Sequence, residues 1–256
     1  MKRKYKLNET IFERVTPDVC YWLGFLYGDG SCTNENKVRL SLGYEDYQQL
    51  IRFRNFIGSD DKPIKIWERD GHQYCTFETR SWRIHNSITK YQLTRIKKNR
   101  TRLHIDLFNK DFIRGLFDAD GTFYYDGRNK ETLFTEITGY KPVLKDVKNI
   151  LVNAGVISDK KNIVKNGCIF RIRMAKEDTI KFIKYIYGDS PRYFLSRKYV
   201  MAVNYLERLS DATSKDETTV HKKYIKPMSE YNVGKRQEHA DRQLFRRYED
   251  ETNIKD

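Results

Sequence analysis

Tyr21 to Gly30 reads YWLGFLYGDG, and Phe112 to Gly121 reads FIRGLFDADG. Each is an apolar run closed by an aspartate against a glycine. Each also carries small residues four apart, Gly24 and Gly28 in the first and Gly115 and Ala119 in the second. Thr16-Pro17-Asp18 ahead of the first stretch is a helix start, with an N-cap hydroxyl, proline at the first helical position and an acid in the first turn. Residues four apart share one face of a helix. Glycine inside a helix costs about 1 kcal/mol relative to alanine, so two in one short helix require the close approach of another backbone. The other copy of the motif is the natural partner. If the two pack together, Gly30 and Gly121 are C-terminal caps, and Asp29 and Asp120 emerge side by side.

Such a carboxylate faces the negative end of its helix dipole, and two adjacent ones repel each other. Hard divalent cations relieve both penalties, because Mg²⁺ is held by a few carboxylates together with phosphate oxygens. Paired carboxylates binding metals over a basic body suit in-line cleavage of phosphodiesters. One isolated Asp-Gly would be an ordinary turn after a buried helix. Two in register within a duplicated unit favour the functional reading.

The duplication extends past the motifs. KVRLSL alternates Val38, Leu40 and Leu42 with Lys37, Arg39 and Ser41, as a half-buried strand should. A helical stretch, YEDYQQLIRFRNFIG, follows Gly43. In the second copy ETLFTEIT reads as the strand and KPVLKDVKNILVNAG as the helix, closed at Gly155. Two hairpins are centred on Asp70-Gly71 and Asn166-Gly167. A helix ends each half, around SWRIHNSITKYQL and AKEDTIKFIKYIYG. The fold class is α+β, two tandem αββαββα repeats with equivalent points roughly ninety residues apart. We set the N-terminal repeat at 1–104, the C-terminal repeat at 105–210 and a charged extension at 211–256.

The chain has 256 residues and a net charge of +14, which points to a polyanionic partner. The extension holds ten basic and ten acidic residues, so the whole excess lies in residues 1–210. Cys20, Cys32, Cys75 and Cys168 form no CxxC pair and read as reduced core residues. His72, His85, His104, His221 and His239 lack metal-ligand spacing. No apolar run approaches membrane-spanning length and none resembles a secretion signal, so the expected location is intracellular, in a bacterial or phage-infected cell or an organelle.

WLGFLYGDG at 22–30 and IRGLFDADG at 113–121 resemble the LAGLIDADG motif of homing endonucleases, and the resemblance covers about residues 15 to 208. It looks like the single-chain, two-repeat class, which implies pseudo-twofold halves meeting through their motif helices and two antiparallel sheets forming a saddle in the DNA major groove. The implied activity is intron-homing cleavage of both strands of a long, non-palindromic duplex site, leaving short 3′ overhangs. It implies a monomer without a small-molecule cofactor, using Mg²⁺ or Mn²⁺ held by Asp29 and Asp120, with the carbonyls of Gly28 and Ala119 sharing in binding. Basic residues near the metals match Lys97 and Lys98 in IKKN and Arg197 and Lys198 in FLSRKY, of which Lys98 and Lys198 are assigned to the water or the phosphate. Where such proteins often carry Gln or Lys at the end of a repeat's second strand, this chain has Leu42-Gly43 and Thr138-Gly139.

The polar phase of the strands should face DNA, which nominates Lys37, Arg39, Ser41, Lys65, Arg80, Arg171 and Arg173. A solvated sheet face is the plainer reading of the same residues. A non-cleaving binder of the same fold, an RNA maturase or a DNA-binding regulator, is the alternative function. Tyr27 against Asp118 and Leu23 against Arg114 set the two motifs apart, as an asymmetric enzyme would require.

Overall fold

Helix α1 (Pro17–Asp29) begins where the Thr16 hydroxyl accepts from the Val19 amide at 3.2 Å and Pro17 takes the first helical position. It runs directly into β1 (Gly30–Cys32), followed by β2 (Lys37–Gly43), α2 (Tyr47–Phe56), β3 (Lys65–Arg69), β4 (His72–Arg80) and α3 (Trp82–Thr89). The second copy repeats the order with α4 (Lys110–Asp120), β5 (Gly121–Tyr125), β6 (Leu133–Gly139), α5 (Lys141–Asn153), β7 (Ile163–Asn166), β8 (Ile169–Ala175) and α6 (Glu177–Tyr187). Asn109 caps α4 by accepting from the Phe112 amide at 3.0 Å. A further helix, α7 (Ser196–Ser214), follows. This computed structural model describes residues 4–33, 35–93, 99, 102–125, 127 and 131–214. Met1–Leu206 is one compact unit holding both sheets, and the chain from Glu207 on is a second. No helix among the described residues is long and apolar enough to cross a membrane.

Each copy builds one four-stranded antiparallel sheet, in the orders β1-β2-β4-β3 and β5-β6-β8-β7. Alternation decides what each face does. Val38, Leu40 and Leu42 on β2 and Cys75 and Phe77 on β4 are buried toward the helices, as are Ile137 on β6 and Ile172 and Met174 on β8. The opposite faces present the polar phase. The two sheets therefore share one design, and the fold is a pair of αββαββα repeats related by a pseudo-twofold axis.

Two local expectations are corrected, the second hairpin and Cys168. Gly30 and Gly121 cap the motif helices as expected, their amides donating to the Leu26 and Phe117 carbonyls, in an extended conformation with φ of −78° and −89°. Space, and not φ, requires glycine there: a Cβ on Gly30 would lie 2.5 Å from the Leu26 carbonyl oxygen, and one on Gly121 would overlap the Phe117 ring. The second hairpin turns one residue later than expected. Asn166 pairs with Ile169, so Gly167-Cys168 form the loop, and Gly167 at φ +60° takes the first position as a II′ turn prefers. The first hairpin does turn at Asp70-Gly71, with both residues at positive φ as in a I′ turn. Cys168 is consequently exposed at a hairpin tip, whereas Cys20, Cys32 and Cys75 are buried; all four are free thiols.

Candidate active site

The motif helices cross with their backbones nearly touching. A Cβ built on Gly24 would overlap the Phe112 carbonyl oxygen and lie 2.8 Å from the Leu116 nitrogen. One on Gly115 would overlap the Tyr21 carbonyl oxygen and lie 2.8 Å from the Phe25 nitrogen. These contacts are reciprocal, since Gly24 matches Gly115, Tyr21 matches Phe112 and Phe25 matches Leu116 in the aligned motifs. Reciprocity of that kind is the signature of a twofold contact. A Cβ on Gly28 would overlap the Ala119 side chain, its own equivalent, so the pseudo-twofold axis passes between those two residues. The same position is 3.1 Å from the Asp120 carboxylate. Asp120 thus reaches the end of α1, at the residue before Asp29.

Behind this pair lies a buried polar network that spacing alone does not reveal. Asp118 accepts from the Tyr21 hydroxyl at 2.8 Å, the Tyr187 hydroxyl at 2.6 Å and the Leu195 amide at 2.8 Å. Gln49 donates in turn to the Tyr21 oxygen at 2.6 Å. Burial pushes the Asp118 carboxyl above its ordinary pKa, while the bond from Tyr187 and the charge of Lys198 act against that shift. Arg114, also buried, donates to the carbonyls of Tyr193 (2.9 Å) and Ile186 (3.2 Å) and to Asp111 (2.8 Å). In the sequence this network shows only as Arg114 and Asp118, four apart in the second motif where the first has Leu23 and Tyr27.

Lys198 lies near the start of α7, buried, with all three donors used. Its Nζ donates to the carbonyls of Phe117 (2.7 Å), Asp118 (2.7 Å) and Gly121 (2.5 Å), closing the C-terminal end of α4. Burial lowers its pKa to about 8, opposed mainly by Asp118 and also by Asp29, whose carboxylate is close enough to be felt. A cation is the favourable group at a helix C-terminus. Its neighbour Arg197 instead binds Asp46 of the other repeat with two nitrogens, at 3.0 Å each. Lys97 and Lys98 lie outside the described residues. Thr138, at the end of β6, donates to the Asp120 carbonyl oxygen at 3.0 Å, another contact the sequence did not announce.

The nominated sheet residues all fall on the polar faces. Lys37 and Arg80 both pair with Glu35, at 2.7 and 2.8 Å, and the Arg39 Nε donates to Glu78 at 2.8 Å. The Ser41 and Thr76 hydroxyls are 2.9 Å apart, and Lys65 is exposed on β3 opposite Thr76. On the second sheet Arg171 donates to Glu136 at 3.2 Å, and the Arg173 guanidinium lies over the Phe134 ring, 4.4 Å from its centre. Trp67 stacks on Tyr74 with ring centres 4.7 Å apart. The exposed pairs of Arg39 and Arg80 are worth little in water, so these cations can exchange partners at small cost, whereas Glu136 is buried against Arg171.

Among the described residues no cluster of three or more His, Cys, Asp or Glu could hold a metal by itself. Two hard carboxylates beside an axis fit Mg²⁺, which commonly takes one or two protein carboxylates and completes its shell with phosphate and water. They do not fit zinc, which needs a closed set of nitrogen and sulfur ligands in structural sites and three protein ligands in catalytic ones.

Residues 108–187 match the family model described as LAGLIDADG-like domain. Solved structures with the same architecture include the homing endonuclease I-WcaI bound to its DNA recognition sequence, at TM-score 0.53 and 13% identity over 73% of this chain and 89% of that one. This chain has the fold of that endonuclease, and the family model matches its second repeat. The LAGLIDADG meganuclease I-CpaMI bound to uncleaved DNA is similar at TM-score 0.52 and 14% identity, over 79% of this chain and 93% of that one. The I-LtrWI LAGLIDADG homing endonuclease bound to target DNA gives TM-score 0.50 and 13% identity, over 78% and 93%. No curated protein matches by sequence. Helix α4 lies within the residues that the family model matches, and α1 occupies the equivalent place in the first repeat.

Proposed function

We propose that the protein is a site-specific endonuclease that cuts both strands of duplex DNA, using divalent metal ions held by Asp29 and Asp120. The observation that carries this reading is the crossing of α1 and α4 on an axis between Gly28 and Ala119, with the Asp120 carboxylate 3.1 Å from a Cβ built on Gly28, the residue before Asp29. Nothing about stability favours two acids at the negative ends of paired helices. On this reading repeats 1–104 and 105–210 act as one monomeric saddle inside the cell, with 211–256 as an appendage.

Asp29 and Asp120 would hold Mg²⁺ or Mn²⁺, helped by the carbonyls of Gly28 and Ala119. Metal bound there supplies charge neutralisation at the phosphate and a water of lowered pKa. The chain's own residues do the rest. Thr138 and Lys198 hold the backbone on either side of Asp120 through hydrogen bonds to the carbonyls of Asp120, Phe117, Asp118 and Gly121. Lys198 also places a positive charge beside Asp29, and with Lys98 it is our choice for steadying the phosphate or the attacking water. Lys37, Arg39, Ser41, Lys65 and Arg80 on one sheet, and Arg171 and Arg173 on the other, contact the major groove and its phosphates. As the resemblance to homing endonucleases implies, the two cuts would fall across the minor groove and leave short 3′ overhangs.

Incubating the protein with a randomised duplex library and Mg²⁺, then sequencing the cut ends, tests the proposal. It predicts a single asymmetric site cut on both strands. Duplex binding with no cutting would instead favour the non-cleaving alternative.

A further inference from the structure

The two sheets place an arginine and a glutamate as cross-strand partners at the same row, with their strands exchanged. In the first repeat Ser31, Arg39 and Glu78 stand in one cross-strand row on β1, β2 and β4. In the second repeat the row is Thr122, Glu136 and Arg173 on β5, β6 and β8. The rows are equivalent, because Gly30 opposite Leu40 corresponds to Gly121 opposite Ile137, one residue after each motif aspartate. The inner strand β2 thus offers a guanidinium where β6 offers a carboxylate. Both rows lie on the polar face, one step outward from the Ser41 and Thr138 level, which abuts the motif ends. Glu136 is held by Arg171 at 3.2 Å, within reach of the Tyr124 hydroxyl at 3.5 Å, and Arg173 is turned onto the Phe134 ring.

A carboxylate in the middle of a surface shaped for a polyanion is unfavourable toward phosphate, yet it suits one base edge. In the major groove Glu accepts from the amino group of cytosine, and Arg donates to O6 and N7 of guanine. An adjacent acid and base together match a single C·G pair. Building on the proposed DNA-binding reading, we infer that Arg39 with Glu78, and Glu136 with Arg171, each read one C·G pair at equal distances from the centre of the target, and that the exchange of charges makes these two pairs non-palindromic. With Arg39 on guanine in one half-site and Glu136 on cytosine at the twofold-related position, both guanines fall on the same strand. A palindrome would put them on opposite strands.

The test is selection of randomised duplexes by binding, with Ca²⁺ replacing Mg²⁺ so that no cutting is needed. It is run on the full chain, Glu136→Gln and the exchange variant Glu136→Arg with Arg173→Glu. The wild type should select guanine on the same strand at both equidistant positions. Glu136→Gln should lower the preference for cytosine at its position by about ten-fold or more, the size of one mismatched pair, and leave the other half-site unchanged. The exchange variant should select a target palindromic at those positions; if it does not fold, Glu136→Gln decides alone. Complementary bases in the wild-type selection, or an unchanged preference with Glu136→Gln, would overturn the inference while leaving the endonuclease reading intact. Failure to retain any duplex would overturn that reading and the inference with it.

Discussion

The Tyr21 hydroxyl donates to the Asp118 carboxylate at 2.8 Å, tying α1 to α4 by a buried bond between the two repeats. Tyr187 and the Leu195 amide donate to the same carboxylate, so Asp118 gathers three donors from three elements. Asp118→Ala should therefore lower stability by about 3 kcal/mol or more, since it strips three buried donors of their acceptor and removes the anion that acts most strongly on Lys198. Urea denaturation of the two proteins measures this, and a loss below about 1 kcal/mol would show the network to be incidental.

Gly24 and Gly115 are required by space. Alanine at either would improve helix propensity by about 1 kcal/mol if nothing else changed. Here the added carbon meets the backbone carbonyl of Phe112 or Tyr21, which cannot move without parting the helices. Gly24→Ala and Gly115→Ala should each lose more stability than the propensity gain returns, by about 2 kcal/mol or more net. Thermal denaturation followed by circular dichroism would report a higher melting temperature if the packing argument were mistaken.

Lys198 sets a pH dependence. Its pKa is about 8 in the fold and 10.5 as an ordinary lysine, so between those values the unfolded chain binds more protons than the native one. Stability should consequently rise as pH increases from about 8 toward 10.5, by an amount on the order of 2 to 3 kcal/mol from this group. The Lys198→Met variant should lack that rise. Denaturation midpoints across this pH range distinguish the cases, and parallel curves for the two proteins would contradict the assignment.

The motif and its glycine face were legible because helical spacing converts directly into contact, and the strand phase was legible because alternation with period two leaves only two faces. Those rules placed Asp29, Asp120 and all seven nominated sheet residues. The Asp118 and Arg114 network was not legible, because Tyr187, Leu195, Tyr193 and Ile186 lie far along the chain and only the completed fold brings their groups together. Gly30 and Gly121 were legible as helix caps, but the reason for glycine, room for Leu26 and Phe117, shows only in the fold. The Asn166-Gly167 turn slipped by one residue because a glycine fits the first position of one turn type as well as the second of another.

Duplex affinity should depend steeply on salt if the polar faces meet phosphates. Each phosphate neutralised adds about 0.9 to the slope of log affinity against log salt. Lys65, exposed on β3, is a candidate phosphate contact, and Lys65→Ala should reduce the slope by about one without altering base preference. Fluorescence anisotropy at several salt concentrations reads this directly. An unchanged slope would remove Lys65 from the interface.

Strand cutting by wild type, Asp29→Asn and Asp120→Asn, on a target recovered from the library and in Mg²⁺, is the most direct measurement of the central claim. Both variants should bind the target with affinity close to wild type and fail to make the double-strand break. Unimpaired double-strand cleavage by either variant would contradict a shared site built from one aspartate of each repeat.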